Sequence, residues 1–524
     1  MSERRRVVVV TGGGGGIGAA IAESIGRSGA FVVTVDPMVT IDGSERLPDT
    51  GETTAGRIVA TGGLARASTV SVTDAAGVMT LFGELAEEFG GLDAVVNVAG
   101  ISRPTSYAAG SREDWRSVLS VHLDGYRKVL AAALPLMAAA GRGHVLGVTS
   151  GSGWRAADAG AYGCAKRAVA ALTWQLGRHA PDGVIVNAVS PIAATRMVAA
   201  AMGGKLPTSG AATGGLSLGA MPAPAHLGPL GAHLVDGGFD ACRGRVLFAA
   251  GSELAVIDEP RLIEVVRSDD AIPSRAALLE VATSIALAPA EADQVSKGGS
   301  NARFGSSFDE VPAEQPAPPA VRTCAIAADR TEAIAVLASA LSARGVTCHA
   351  VASPSELGDV DALVVLTETG ASATGTSRWE RILAEHDGIV ELIDSDAQWA
   401  RAAADLAAVI ERDIRLVAVT RATTSGGRSR AQAAAQLARA GRKATGGRVL
   451  PFAISAETDE IPTDLVAHLV CSDHAAGLAG AELVSGPGWF GLRSHPRPIG
   501  SLSYGGPAVP AWFDDVLREV VGPR

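Results

Sequence analysis

Two residues in the first half of the chain have the types and spacing needed for proton transfer. Tyr162 and Lys166 stand four apart in AYGCAKRAVAAL (161–172), so a helix there carries both side chains on one face. A tyrosine beside a fixed ammonium loses its phenolic proton more readily, because the opposite charge favours phenolate. It then becomes a usable general acid or base near neutral pH. Ser150, in HVLGVTSGSGW (144–154), could hold a substrate oxygen nearby. A Tyr-x-x-x-Lys pair taken alone is common on amphipathic helices. Lysine is scarce in this chain, however, at only five positions (128, 166, 205, 297 and 443), so a lysine at 166 is not background.

A second group suits a phosphate. VVVVTGGGGGIGAAIAESIG (7–26) reads as strand, glycine loop and helix, with Gly12, Gly16 and Gly18 in a GxxxGxG spacing. Glycine lets backbone approach a pyrophosphate, and the helix N-terminus presents N–H groups to it. Asp36 ends the next apolar run, FVVTVDP (31–37). A carboxylate there can accept hydrogen bonds from a ribose diol and would repel a 2′-phosphate. No Arg or Lys directly follows it or sits in the glycine loop, and both absences favour NAD over NADP. Asp-Pro is also an ordinary turn start. VVNVAG (95–100) brings Asn97 and Gly100 to the end of another strand, either as ligands or as turn residues.

Strands and helices must place these groups. Val7–Val10, Phe31–Val35, Ala94–Val98, His144–Thr149 and Val184–Val189 read as strands separated by segments of 3.6 periodicity. That alternation implies βαβ units and an α/β fold with a doubly wound parallel sheet of Rossmann type. GRVLFAAGSELAVID (244–258) reads as a final strand and its exit. Residues 203–240 are rich in Gly, Pro, Ser and Ala and read as a long loop that closes over substrate, followed by a short helix near Leu230. Residues 298–320 form a Gly/Ser-rich and then Pro-rich linker. A second alternation starts at Arg322, with strands expected at Thr323–Ala327, Thr347–Val351, Ala362–Thr367, Leu416–Thr420 and Val449–Ile454. The expected organisation is a catalytic domain over 1–265, a connecting segment over 266–320 and a second α/β domain over 321–524. That second domain is read as a diverged copy of the first; an unrelated α/β domain would show the same alternation.

The 524 residues are 47% hydrophobic and 19% charged, a globular composition. The formal net charge of −10 argues against nucleic-acid or anionic-membrane partners. No run of eighteen apolar residues occurs, and the apolar stretch at the start is too short for a signal peptide. Five scattered cysteines without metal spacing fit a reduced, cytoplasmic setting and no metal site.

Taken in order, TGxxxGxG, a strand-end Asp, NxAG, Ser and Tyr-x-x-x-Lys resemble the short-chain dehydrogenase/reductase family over roughly the first half of the chain. The resemblance implies that Tyr162 is the acid/base. Lys166 would lower its pKa and hold the nicotinamide ribose, and Ser150 would orient the substrate oxygen. It also implies a cofactor site formed by Gly12, Gly16, Ile17, Gly18, Asp36, Val72, Asn97, Ala99, Gly100, Tyr162, Lys166, Pro191, Ile192 and Thr195, with Thr195 near the nicotinamide carboxamide. Three positions depart from the family pattern: VHLDG (121–125) puts His122 where Asn is usual, PI replaces PG at 191–192, and Ser71 replaces Asp in SVTD. The family's Asn serves a proton-relay water through its backbone carbonyl, which any residue keeps. His122 is therefore grouped with the catalytic residues by position, although a lone helical histidine is more often a packed residue. VHLxG and PIAATRM (191–197) resemble the (3R)-hydroxyacyl-CoA dehydrogenase branch of multifunctional β-oxidation enzymes.

The implied function is NAD-dependent interconversion of a secondary alcohol and a ketone, with a 3-hydroxyacyl/3-oxoacyl thioester as the leading substrate. A steroid or other secondary alcohol is the first alternative, and a non-catalytic scaffold or cofactor sensor the second. The second domain has neither a glycine loop in CAIAADRTEAIAVL (324–337) nor a Tyr-x-x-x-Lys after VAVT (417–420). Family members commonly form dimers and tetramers, so an empty copy could take one subunit's place. A homodimer of this chain would then be a pseudo-tetramer.

Overall fold

The computed structural model describes residues 4–49, 51–201, 221–267, 275–296, 321–367, 373 and 375–522. Residues 203–220 of the expected closing loop and the linker at 298–320 lie outside these residues, while 221–240 are described and hold the expected short helix, Gly228–Leu234. The apolar runs form the first sheet's strands: β1 (Val7–Thr11), β2 (Phe31–Val35), β3 (Leu64–Ser68), β4 (Ala94–Asn97), β5 (Gly143–Val148), β6 (Val184–Ile192), β7 (Val246–Ala250) and β8 (Glu253–Ile257). The second sheet draws on β9 (Leu262–Arg267), β10 (Thr323–Ala328), β11 (Thr347–Ala350), β12 (Ala362–Thr367), β13 (Ile414–Arg421), β14 (Val449–Ala456), β15 (Glu482–Gly486) and β16 (Trp489–Arg493). The last strand, β17 (Pro498–Ser503), belongs to the first sheet.

The first sheet runs β17-β8-β7-β6-β5-β4-β1-β2-β3 and the second β11-β10-β12-β13-β14-β15-β16-β9. In the first, the seven strands from β7 to β3 are parallel, and β8 and β17 are antiparallel additions. The second repeats that plan without a counterpart of β3. Helices cover both faces, which is why the central strands are almost unbroken apolar runs.

The two sheets exchange their outermost strands. After β8 the chain crosses to give β9 to the second sheet, and after β16 it crosses back to give β17 to the first. The crossings are joined reciprocally: Asp258 N–H donates to Arg497 C=O (2.8 Å), and Ser494 N–H to Arg261 C=O (2.7 Å). A boundary at 265 therefore falls inside β9, and the region 321–524 does not hold its sheet alone. The expected single strand at 244–258 is a hairpin, β7 and β8, turning at Gly251.

The halves also meet through helices. Gly160–His179, which bears Tyr162 and Lys166, packs along Ser425–Ala444, and both are buried on nearly every side. Small residues allow this approach. Polar groups inside the contact are paired: Arg167 bonds Glu482 (2.5 Å) and Gln432 (3.0 Å), Gln432 also bonds Glu482, and Gln175 bonds Ser429 (3.0 Å). At its edge, Arg112 bonds Asp394 and Arg116 bonds Glu391, each at 2.8 Å.

Candidate active site

A cavity of about 1030 Å³ opens at the C-terminal edge of the first sheet's parallel strands, where the order reverses about β1 and open α/β sheets take ligands. Its floor is the turn from β1 into the helix Gly16–Arg27. Gly12 has φ +66, and a Cβ there would lie 2.7 Å from Ala99 N. The turn thus requires glycine sterically and conformationally. Asp36 accepts Gly14 N–H (3.0 Å) and Met38 N–H (2.9 Å), which fixes its carboxylate on the cavity wall while leaving acceptor capacity.

On the opposite wall, Ser150 ends the segment after β5, and its Oγ accepts Ser152 N–H at 3.2 Å. Tyr162 is hydrogen-bonded to Ser150. Lys166 Nζ donates to Val148 C=O at 2.6 Å and lies 5.6 Å from the centre of the Tyr162 ring. Thr149 Oγ1 bonds Lys166 C=O (2.6 Å), tying strand end to helix. Burial pushes the Tyr162 phenol up, and the Ser150 hydrogen bond pulls it part of the way back. Burial also holds Lys166 down, at about 7. The expected lowering of the tyrosine by the ammonium is thus not the dominant effect here: desolvation outweighs it, and the ammonium is turned to a carbonyl.

His122 is 3% exposed and sits in a π-helical turn, Ser120–Asp124, between the helices Arg112–Leu119 and Gly125–Ala140. Its Nε2 lies 2.8 Å from Ile101 C=O, and its ring stands edge-to-face with Tyr162 at 5.0 Å. Burial and the Lys166 charge lower its pKa to about 3, so the imidazole is neutral. The same Nε2 is also 3.2 Å from Ile101 N–H, so Ile101 offers this nitrogen a partner in either neutral tautomer.

The cavity wall includes Gly12, Gly16, Ile17, Asp36, Val72, Ala99, Gly100, His122, Ser150, Tyr162, Lys166, Pro191 and Thr195. Three expected cofactor residues are not on it. A Cβ at Gly18 would collide with Gly12 C=O, so that glycine serves packing within the loop. Asn97 is buried and accepts from Thr11 Oγ1 (2.8 Å), bridging β1 and β4. Ile192 packs toward the apolar cluster containing Trp154 and Phe248.

Other wall residues had no signal in the sequence reading. The segment after β2 folds back as a strap: Leu47 N–H bonds Met38 C=O, Ser102 N–H bonds Ile41 C=O, and Arg103 Nε bonds Asp42 C=O. This lays Met38, Thr40, Ile41 and Leu47 beside Asp36. Arg196 reaches over the glycine loop, 3.3 Å from where a Cβ on Gly15 would stand. The side-chain-free floor, the held carboxylate and the buried lysine fit a nicotinamide dinucleotide.

Comparison with known proteins agrees with this geometry. Residues 6–204 match the family described as short chain dehydrogenase. The short-chain reductase protein NovJ of Streptomyces niveus is 34% identical over 184 residues, 35% of this chain and 67% of that protein. An uncharacterized NAD-dependent oxidoreductase of Mycobacterium tuberculosis is 33% identical over 182 residues, covering 33% and 66%. D-threitol dehydrogenase of Mycolicibacterium smegmatis is 33% identical over 182 residues, covering 33% and 65%. The chain belongs to the short-chain dehydrogenase family and is an oxidoreductase of that class. No helix among the described residues is long and apolar enough to cross a membrane.

Proposed function

We propose that the first half interconverts a secondary alcohol and a ketone with NAD, using Tyr162 as acid/base. The observation carrying this reading is the convergence of Ser150, Tyr162 and Lys166 on the cavity that the glycine loop and Asp36 also line. In the oxidising direction Tyr162 takes the hydroxyl proton, and in reduction it returns one to the ketone oxygen. Ser150 holds that oxygen against Tyr162. Lys166 steadies the ribose and, when charged, the phenolate. The bound nicotinamide supplies the hydride acceptor or donor. The glycine loop would hold the cofactor's pyrophosphate, and Asp36 its adenosine ribose.

Asp36 supports NAD over NADP, because no Arg or Lys directly follows it in the sequence and both of its oxygens are already directed by backbone N–H groups. For substrate, VHLDG and PIAATRM favour a 3-hydroxyacyl or 3-oxoacyl thioester. The likeness to a threitol dehydrogenase supports a small polyol or other secondary alcohol instead. A panel of acyl-CoA esters and free alcohols separates the two. Tyr162→Phe should lower turnover at least ~100-fold while leaving NADH binding, read by fluorescence titration, nearly intact. Equal turnover would end the mechanism, and tighter binding of NADPH than NADH would end the Asp36 assignment.

The second half we read as a diverged copy acting as a built-in partner. The shared strand order and the reciprocal exchange of edge strands support this. Association of two chains would give a pseudo-tetramer, which a solution mass measurement tests directly.

A further inference from the structure

One side chain of the second half reaches the turn that carries Ser150. Gln436, on the helix Ser425–Ala444, is 2% exposed. Its Nε2 donates to Ser152 C=O (3.1 Å) and to Arg155 C=O (2.9 Å). One amide thus grips two carbonyls three residues apart, at both ends of the short turn that follows Ser150. Within that turn Ser152 N–H donates to Ser150 Oγ, and the 3-10 segment Gly151–Gly153 starts from Ser150. The fit is tight on the helix side as well: a Cβ on Gly163 would lie 2.9 Å from Ser152 C=O and 3.5 Å from Gln436 Cγ. A serine hydroxyl that aligns a substrate oxygen must be held within a fraction of an ångström. The turn is glycine-rich and its outer residues, Arg155 to Asp158, are exposed. Its own bonds, Gly153 N–H to Ser150 C=O and Arg155 N–H to Gly151 C=O, and the buried Trp154 hold it from the first half, and the Gln436 amide adds a hold from the second.

We propose that Gln436 is a positioning residue for the active site of the other half: it fixes the turn 150–155 and, through it, the Ser150 hydroxyl that faces Tyr162. The proposal rests on the roles given above to Ser150 and Tyr162, and it makes the first half's site incomplete without the second.

The test is a double-mutant cycle in the full chain, using Gln436→Leu, Ser150→Ala and the two together. Gln436→Leu should lower kcat about tenfold or more, with KM for NAD and the NADH Kd changed less than about twofold, because no cofactor contact is touched. In the Ser150→Ala background the same change should cost nothing further. A second readout needs no substrate. The chain has only four tyrosines, so the carbon NMR shift of Tyr162 Cζ, assigned with Tyr162→Phe, reports the hydrogen bond at its oxygen. Gln436→Leu and Ser150→Ala should move it alike, and the double variant no more than Ser150→Ala. If Gln436→Leu fails to fold, judged by lost NADH binding, Gln436→Met carries the same cycle. An unchanged kcat and Tyr162 shift, or losses that simply add in the double variant, would overturn the proposal. Absence of wild-type turnover on every alcohol and ketone tried would refute the dehydrogenase reading, while the Tyr162 shift would still decide the role of Gln436.

Discussion

At the scale of single residues, Lys166 gives the sharpest consequence. The folded protein holds its pKa near 7, against an ordinary value of 10.5. Between those values the unfolded chain binds the proton and the folded chain does not, so stability rises with pH across that window. Below it the folded lysine is charged, and the burial penalty is at its largest. Lys166→Met should therefore raise unfolding free energy in the cofactor-free protein, and by about 3 kcal/mol more near pH 6 than near pH 9. Denaturant titrations at the two pH values check this, and an equal gain at both would contradict the buried charge. Ser150, Tyr162 and Lys166 could be singled out in the sequence by type and spacing, and the structure brings them to one cavity. The dominance of desolvation over the ammonium was not legible, since burial is a property of everything packed around a residue. The neutrality of His122 was hidden for the same reason.

At the scale of elements, β1, β2, β4, β5 and β6 could be read because their valine-rich runs serve a sheet covered on both faces. The strand β3, LARAS, is a polar edge with no apolar pattern. The strands β9 and β17 are short edge strands whose pairing depends on the other half. Ser120–Asp124 reads in sequence as part of an ordinary amphipathic helix, because a single wide turn leaves no mark on a 3.6 period. In the structure that turn presses the His122 ring against Gly100, where a Cβ would strike the imidazole Cε1. Gly100→Ala should destabilise the protein by about 1–3 kcal/mol through overpacking. It should also weaken NADH binding, since Gly100 is on the cavity wall. Chemical denaturation and fluorescence titration measure the two effects, and a fully stable Gly100→Ala would mean that the ring has room to move.

At the scale of the whole molecule, the contact between halves hides a charge pair. Arg167 is fully buried, and its partner Glu482 is 2% exposed. Removing one member leaves the other uncompensated in a low dielectric, so Glu482→Leu should cost about 3–5 kcal/mol. Arg167→Met together with Glu482→Leu should cost less than that single change. A double variant less stable than Glu482→Leu would mean that the pair's other partners, Gln432 and Arg493, matter more than the pair. Alternation announced the second half in the sequence. Its intimacy with the first was not announced, because tertiary contacts between distant segments have no local signature.

The crossing of β9 and β17 also sets an order of events during synthesis. Ile257, at the end of β8, pairs with Pro498, so β8 stays unpaired on that side until residues 498–503, about 240 positions later, have left the ribosome. Pairings this distant in sequence form late and slowly. The catalytic half, although made first, cannot finish folding first. Any truncation before residue 498 leaves it with an unprotected strand edge, the kind of surface that recruits other chains.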